Sequence, residues 1–385
     1  PAARSAARPV PPGPGRRRRA RPRPDAAPSP PAVDPSPGSR PPMLRRYVLR
    51  RLLAALLQLL ALTVAVFFLI RLLPADPVSR FVGLNASAEA YAQAERNLGL
   101  DRPLAVQLGH YLGLLPGEGP GLLQGHLGTS WVTGSPVGEE IARTLPRTLE
   151  LVTLAFALAF VIAAPVGMLA ALRPGGAADK GVFVYSLFAG SQPEFWWGLL
   201  FVYVFFFTLG WAPAPLGVLS PMTQAPPIVT GSVLIDSLLA GRPGTFAEAL
   251  HHYALPVATL TFILSGPIIK MVRQNMARAL ESDFVLYARC AGLPGGDIAR
   301  AAFRAAMAPS MTLIGILYGF MLGGAVLVES VFSLGGLGQY AIRSILAFDY
   351  PAIQGVVLVI TAVSLLVYLA LDLIHAAIDP RVSYA

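Results

Sequence analysis

Long apolar runs constrain what this sequence can fold into more than any other feature. A helix needs about 20 predominantly apolar residues to cross roughly 30 Å of hydrocarbon. Residues 52–70, "LLAALLQLLALTVAVFFLI", meet this length without a single charged side chain. Because lipid offers no hydrogen-bond partners, a segment of this kind must satisfy its own backbone, which a helix does. The sequence therefore predicts a membrane-spanning helix here.

Further apolar runs predict an all-α polytopic membrane protein with six transmembrane helices. We expect the spans at about 52–70, 149–172, 182–209, 254–273, 311–332 and 355–378. Arginines precede the first run, which is too long for a signal-peptide core and is predicted to be an uncleaved anchor. Pro193 is predicted to kink the third span. Gly315, Gly319 and Gly323 leave one face of the fifth span without side chains, which favours close approach of a neighbouring backbone.

Composition agrees with a membrane protein and excludes several other classes. Hydrophobic residues make up 54% of the 385 residues, and charged residues only 13%, unlike soluble globular domains. The single cysteine, Cys290, excludes an intramolecular disulfide and any multi-cysteine metal site built from this chain. The sequence contains no Gly-x-x-x-x-Gly-Lys-Ser/Thr motif for cradling phosphates. ATP hydrolysis, if it is required, falls to another chain.

The first 42 residues differ sharply from the rest. Residues 1–42 hold nine arginines, two aspartates and 14 of the 36 prolines. Such a segment has too few apolar residues to offset the entropy lost on ordering. We therefore predict a disordered N-terminal tail at 1–42 and a membrane domain at 43–385.

The distribution of basic residues predicts the orientation. Arginine and lysine concentrate in the cytoplasmic loops of membrane proteins. The loops 173–180 and 274–310 carry basic residues and are predicted to be cytoplasmic, together with both termini. The segments 71–146, 210–253 and 333–354 are then external. The first of these is long enough to form a small external cap.

A polar stretch in the loop 274–310 is the strongest candidate for a functional element. It reads "DFVLYARCAGLPGG" and is too polar to enter a bilayer. Ser282 is a suitable N-cap for a helix over 283–291, and Gly292 stands where a left-handed C-terminal cap is wanted. The pattern predicts a short helix that ends at a glycine elbow.

A second short helix is predicted after this elbow. Asp297 is a start signal, and Pro309 is expected to end the helix. The elbow would expose Tyr287, Arg289 and Leu293 away from the bilayer, where a stiff element can press on a soluble partner. The alternative is an inert amphipathic helix that lies in the membrane surface. Geometry alone leaves both open.

Motifs across the chain resemble one transporter family. "DFVLYARCAGL" and "RAAFRAAMAPSMT" are similar to the cytoplasmic signature loop of binding-protein-dependent, ATP-driven import permeases of the dipeptide and oligopeptide branch. The likeness covers most of residues 43–385, through "RRYVLRRLL", "FFLIRLLPADP", "LGLDRPLAVQ", "HLGTS", "LPRTLELV", "PEFWWGLL", "VESVFSLGGLGQ", "FDYPAIQG" and "IDPRVSY". The resemblance implies the fold of an ABC importer permease, in which 274–310 is the coupling loop.

The resemblance also implies the role of the chain and its partners. This permease subunit would perform no catalysis and bind no cofactor or metal, while two partner ATPases bind ATP and Mg. It would form half of the translocation path with a homologous second permease in a prokaryotic inner membrane, supplied by an external solute-binding protein. Coupling to the ATPases would run through residues of the loop 283–308 and the proline that follows it, namely Phe284, Tyr287, Ala288, Arg289, Gly292, Leu293, Arg300, Arg304 and Pro309.

The cargo and two other function classes remain open. The resembled branch carries dipeptides and longer peptides, and also nickel chelates, glutathione and some oligosaccharides. An ATP-independent secondary transporter or channel predicts internal repeats or several charged residues in mid-membrane. An intramembrane enzyme requires a convergent set of nucleophile, base or metal ligands, which the five scattered histidines do not supply.

Acidic residues near the spans are candidates for the translocation path. Glu194 lies beside the predicted kink and Glu329 near the outer end of the fifth span, where a carboxylate suits the amino group of a peptide. Asp372 and His375 lie three residues apart on the last span. They are predicted to form an interfacial pair, and the alternative is an intramembrane proton relay.

Overall fold

The computed structural model describes residues 40–74, 76–83, 85–115 and 119–378. Residues 1–39 of the predicted disordered tail lie outside this range. The described residues are mainly helical, and an isolated bridge pairs Thr129 with Pro136. The α-helices are α1 (Arg40–Leu72), α2 (Pro77–Val82), α3 (Ala88–Asn97), α4 (Leu104–Leu112), α5 (Val137–Leu172), α6 (Ala177–Ala189), α7 (Glu194–Phe201), α8 (Val233–Leu239), α9 (Pro243–Leu280), α10 (Asp283–Cys290), α11 (Gly295–Val331), α12 (Leu337–Leu346) and α13 (Tyr350–Ile378).

Five helices in the described part contain an apolar stretch long enough to cross a membrane. The stretches are Val48–Leu72, Val137–Leu172, Pro243–Leu280, Leu313–Val331 and Tyr350–Ile374. They correspond to five of the six predicted runs. The all-α polytopic architecture is thus confirmed, and α5 and α9 continue well beyond the predicted apolar runs at their N-terminal ends.

The third predicted span, 182–209, is not one kinked helix. Helices α6 and α7 are separate and are divided by residues 190–193. Pro193 is the N-cap of α7, and α7 then passes into a π-helical segment, Val202–Thr208. Proline lacks an amide hydrogen and disfavours a helical conformation in the residue before it. The predicted kink is therefore a complete break in the helix.

Helix α9 forms the centre of the bundle. It packs against α5, α6, α7, α8 and α11. In its most apolar window 72% of the residues are buried, against 17% for α1 and 0% for α13. Tyr253, Leu260, Leu264 and Ile268 of α9 are enclosed by neighbouring helices. Helix α1 packs on α13, which also contacts α5, α11 and α12, so most of the surface of α1 is left for lipid or another subunit.

Helix α11 does not end at Pro309, contrary to the prediction. One continuous helix runs over Gly295–Val331, so Asp297 is not its first residue either. Neighbouring helices and polar side chains can compensate for the hydrogen bond that a proline removes from a membrane helix. Beside this proline, Asn275 Nδ2 of α9 donates to Ser310 Oγ at 2.8 Å. The element after the elbow is thus a rigid extension of the fifth span.

The glycine row of α11 accommodates side chains of α13 rather than a neighbouring backbone. A Cβ at Gly319 would collide with the hydroxyl of Tyr368, and a Cβ at Gly315 would lie 2.9 Å from Leu371 Cδ1. Gly323 has open space around it. Two of the three glycines therefore make room for large side chains of the last span.

Candidate functional site

The N-terminal end of α10 has the predicted position with a different hydrogen bond. Ser282 is the N-cap residue and has an extended backbone, but its side chain accepts no hydrogen bond from the helix. The hydroxyl donates instead to the carbonyl of Ala279 at the end of α9. This contact satisfies one of the last carbonyl groups of α9, which lack a helical partner.

The C-terminal end of α10 is closed by a glycine in the left-handed conformation. Gly292 has φ of 74°. Its N–H donates to Arg289 O at 3.0 Å, and the Leu293 N–H donates to Ala288 O at 3.1 Å, the pair of bonds that defines a Schellman motif. The predicted left-handed cap is confirmed. The six residues from Ala288 to Leu293 are therefore held in a defined turn.

Val285 is the buried side chain that anchors α10 to the rest of the protein, with Ala288 packed beside it. Val285 is 1% exposed and packs in a cluster of buried residues from α5, α9 and α11, namely Ala171, Met276, Ile298, Ala302 and Ala306. The large apolar side chains around it point away from the bundle. Phe284, Leu286 and Leu293 are exposed, and Tyr287 is 77% exposed. Helix α10 thus presents an apolar surface that no part of the described chain covers.

The basic residues of the loop surround this surface. Arg289 and Arg304 are exposed. Arg300 Nη1 donates to Asp297 Oδ1 at 3.1 Å, and both side chains are largely exposed, so their pairing contributes little to stability. Pro309 is exposed and Ala288 is half-buried. The predicted coupling residues therefore gather on α10 and the first turns of α11, with their charges free to meet a partner.

Glu329 is enclosed, although the sequence made it a candidate for the path. It is 1% exposed. Its Oε1 accepts from Thr148 Oγ1 at 2.5 Å, and its Oε2 accepts from the N–H groups of Gly338 and Gln339 at 2.8 and 3.2 Å. These N–H groups belong to the first turn of α12, where backbone donors lack helical partners. In this structure Glu329 caps α12.

Glu194 has a more open position at the start of α7. It is half-buried, and a Cβ at Gly324 of α11 would lie 3.4 Å from its Oε1. The break at 190–193 directly precedes it. Of the two predicted path carboxylates, Glu194 is the one with an accessible surface.

Sequence reasoning missed Glu150, which caps another helix. Its Oε1 accepts from Ser232 Oγ at 2.6 Å and from the Leu234 N–H at 3.0 Å, at the start of α8. Its Oε2 accepts from the hydroxyl of Tyr253 at 2.7 Å. No local pattern signals this role, because its partners lie far away in the sequence.

Asp372 forms an ion pair that links the first and last spans. Arg51 Nε of α1 donates to Asp372 Oδ2 at 2.8 Å. The predicted partner, His375, has a side chain outside the described part. Among the residues that the structure describes, no three His, Cys, Asp or Glu side chains come together as a metal site would require.

Both halves of the membrane domain match models of known protein families. Residues 163–384 match the family model "Binding-protein-dependent transport system inner membrane component". Residues 43–152 match the family model "Binding-prot-dependent transport system membrane comp, N-term". Together these matches extend from α1 into the region beyond α13.

Relatives of this chain include several transport permeases. It is 36% identical over 340 residues to the Di/tripeptide transport system permease protein DppB of Pseudomonas aeruginosa (strain UCBPP-PA14), which covers 88% of this chain and 98% of the relative. It is 34% identical to the Dipeptide transport system permease protein DppB of Escherichia coli (strain K12), in a match that covers 88% of this chain and 99% of the relative. It is 32% identical to the Glutathione transport system permease protein GsiC of Salmonella typhi, in a match that covers 88% of this chain and 99% of the relative. The chain is a multi-pass membrane permease that belongs to the binding-protein-dependent transport system inner membrane component family.

Proposed function

We propose that this chain is one of two permease subunits in an ATP-driven importer of peptides. Family membership supports the transport role, and the relatives named for dipeptides and tripeptides support the cargo. The protein would lie in a prokaryotic inner membrane with both termini in the cytoplasm, because the loops that follow α5 and α9 carry the basic residues.

The way in which α10 is attached to the bundle supports a role in coupling to the ATPases. Helix α10 is rigid at its C-terminal end and anchored by Val285, while Tyr287 and its apolar neighbours are exposed. Helix α11 starts beside α10 and continues without interruption into the fifth span. A protein that grips α10 can therefore move a membrane helix directly.

Two cytoplasmic ATPases are the partners that this surface fits. ATP and Mg would bind to them, and this chain would contribute no catalytic group. For ATP to shift the path between outward and inward access, α10 must bind one ATPase arrangement more tightly than the other, since equal affinity shifts nothing. The apolar area of α10 would supply that differential contact.

The opposite side of the bundle would receive the external solute-binding protein. On that side, the segments that connect the long apolar helices contain the short helices α2, α3, α4, α8 and α12. Glu150 and Glu329 fix α8 and α12 to α5 and α11. Docking on this face would therefore act on the spans that form the path.

Reconstitution tests the proposal. This chain, a second permease, the ATPases and the binding protein would be placed in liposomes, and uptake of radiolabelled dialanine would be measured. We expect uptake that requires both ATP and the binding protein, with a non-hydrolysable ATP analogue as the control. Uptake by this chain alone without ATP would instead identify a secondary transporter or channel.

Glutathione is a second candidate cargo, favoured by the relative from Salmonella typhi. It is a tripeptide in size but has one γ-linked bond and an additional carboxylate. Titration of dialanine and glutathione into the isolated binding protein separates the two cargoes. We expect dialanine to bind more tightly.

A further inference from the structure

The break between α6 and α7 lies at the middle of the membrane. The Tyr185 hydroxyl of α6 donates to Phe262 O at 2.6 Å, and the Trp197 ring of α7 lies 4.6 Å from the Phe262 ring. Phe262 is near the midpoint of the Pro243–Leu280 helix. Because both sides of the break contact this residue, residues 190–193 lie close to the bilayer centre.

The broken segment is exposed on the surface of this chain. Gly190, Ser191, Gln192 and Pro193 all have exposed surface. The Ser191 hydroxyl turns back to the carbonyl of Phe188 at 2.7 Å. Irregular backbone at membrane depth is found only where protein buries it or where it lines water, since hydrocarbon cannot satisfy its polar groups. The N–H groups of Gly190 and Ser191 donate to Ser186 O and Phe188 O at 3.3 and 3.2 Å, so the exposed side chain of Gln192 is the polar group that favours a cover other than lipid alone.

A groove continues from the break towards one membrane surface. It lies between α6 and α9, has a volume of about 740 Å³, and includes Gly190 at one end and Lys180 and Lys270 at the other. Phe183 and Leu187 form part of its wall. The broken backbone and the two lysines thus belong to one continuous surface.

The charges differ between the break and the far end of the groove. Glu194 directly follows the break and is half-buried, with its carboxylate near Gly324 of α11, beside the groove rather than in its wall. At the other end, Arg273 is paired with Asp179, while Lys180 and Lys270 are exposed. A carboxylate inside a membrane commonly marks a substrate or ion pathway. A zwitterion that passes from the break into the groove could meet Glu194 and then the two lysines.

We propose that the break at 190–193 and the α6–α9 groove line the water-filled path for the cargo, with Glu194 facing the amino group of a peptide. The substrate class rests on the proposed function, whereas the existence of a water-filled wall does not. The lysines at the exit would attract the peptide carboxylate. The second permease subunit would close the opposite side of the path.

An anionic lipid is the competing occupant, because basic grooves between membrane helices can bind lipid head groups. A lipid seated here would place its acyl chains against residues 190–193, where the exposed amide side chain of Gln192 would lose its contact with water without gaining a hydrogen-bond partner. The path is favoured for this reason. The two occupants differ in one measurable property, which is whether water reaches the break.

Cysteine labelling measures that access in the complete transporter. Cys290 is the only cysteine of the chain and is replaced by serine, after which Ser191→Cys and Gln192→Cys are introduced singly. The matched controls are Leu57→Cys on α1 and Leu366→Cys on α13, which replace leucines that are 67% and 61% exposed. The reagent is a charged methanethiosulfonate that does not cross membranes.

We expect the break cysteines to react at least about tenfold faster than the controls, because the reactive thiolate forms where water reaches it. Binding protein loaded with dialanine, added together with ATP, should slow the reaction at Ser191→Cys. Equal rates at the break and control positions would overturn the proposal, and so would labelling of the break by a lipid-soluble maleimide alone.

A parallel uptake measurement separates this inference from the proposed function. If the unlabelled complex imports dialanine but the break cysteines are unreactive, the path lies elsewhere and the proposed function stands. If the break cysteines react and no peptide is imported, the water-filled path stands and the peptide cargo is wrong.

Discussion

Thr148 of α5 and Glu329 of α11 are joined by a buried hydrogen bond of 2.5 Å between Thr148 Oγ1 and Glu329 Oε1. The same two side chains hold the start of α12. Thr148 Oγ1 accepts from the Leu337 N–H, and Glu329 Oε2 accepts from the Gly338 N–H, both at 2.8 Å. The first N–H groups of a helix lack internal partners and attract negative charge. A motion between α5 and α11 must therefore also displace α12.

Replacement of Glu329 tests whether it is a structural cap. We expect Glu329→Ala to leave buried N–H groups unpaired and to lower the free energy of unfolding by about 1–3 kcal/mol or more. Thermal unfolding of the purified permease complex measures this. Glu139→Ala is the control, because Glu139 is largely exposed, and its melting temperature should stay unchanged. A normal melting temperature with an altered KM for dialanine would instead make Glu329 a cargo contact.

Substitution of Gly292 tests the turn after α10. Because Gly292 has φ of 74°, Gly292→Val should lower the free energy of unfolding by about 1–2 kcal/mol. Gly292→Asn should lower it less, because asparagine tolerates this conformation. We expect ATP hydrolysis stimulated by the loaded binding protein to fall in the order glycine, asparagine, valine. Gly296→Ala, at a helical glycine with open space around it, is the control. Equal activity of the valine and asparagine variants would contradict a left-handed requirement.

Val285 tests how α10 is anchored. Val285→Ala removes two buried methyl groups, and at about 0.8 kcal/mol per group we expect it to lower the stability of the isolated permease. Leu286→Ala is the matched control, since Leu286 is 62% exposed. Unfolding should be followed without the ATPases, so that partner contacts do not contribute. Equal losses in the two variants would show that α10 is not fastened through Val285.

The pH response of the segment before α8 tests the role of Asp236. Burial raises the pKa of its carboxyl, but hydrogen bonds from Thr230, Val229 and Gly231 together lower the pKa below its usual value. A lowered folded pKa gives stability that is present above the unfolded value of about 3.9 and is lost as the pH falls through the folded pKa. Limited proteolysis should therefore show protection from pH 7 to 5 and loss below 4.

Asp236→Asn supplies the comparison for this pH response. Its side chain keeps the shape but lacks the charge, so proteolysis of the segment should start faster at neutral pH and vary little with acidity. If the variant and the parent protein lose protection at the same pH, another group controls this segment.

The sequence predicted α10 well because its signals are local. An N-cap residue, a short apolar and polar pattern, and a glycine at the end all lie within about three helical turns. The long spans were predictable for a related reason, since each contains its own apolar run. The fold class therefore followed from residues that are close in the sequence.

Contacts between distant residues escaped prediction. Pro193 stands at the start of a helix, after a break, whereas Pro309 lies inside a helix, although both interrupt apolar patterns. The second proline lies beside the Asn275–Ser310 bond, and the first follows an exposed polar segment. Glu150 caps α8, which is remote from it in the sequence, and Glu329 caps the nearby α12 together with Thr148, which is remote from both. Such roles depend on packing, which a single sequence does not reveal.

Photo-crosslinking at Tyr287 tests whether α10 contacts an ATPase. A photoreactive amino acid at position 287 would be compared with one at Met222, which is 94% exposed in a segment predicted to be external. In membranes that contain the complete transporter, we expect an ATPase to be captured from position 287, in a yield that changes on ATP addition, and none from position 222. If the same transporter imports dialanine but no ATPase is captured from position 287, α10 is not the coupling element.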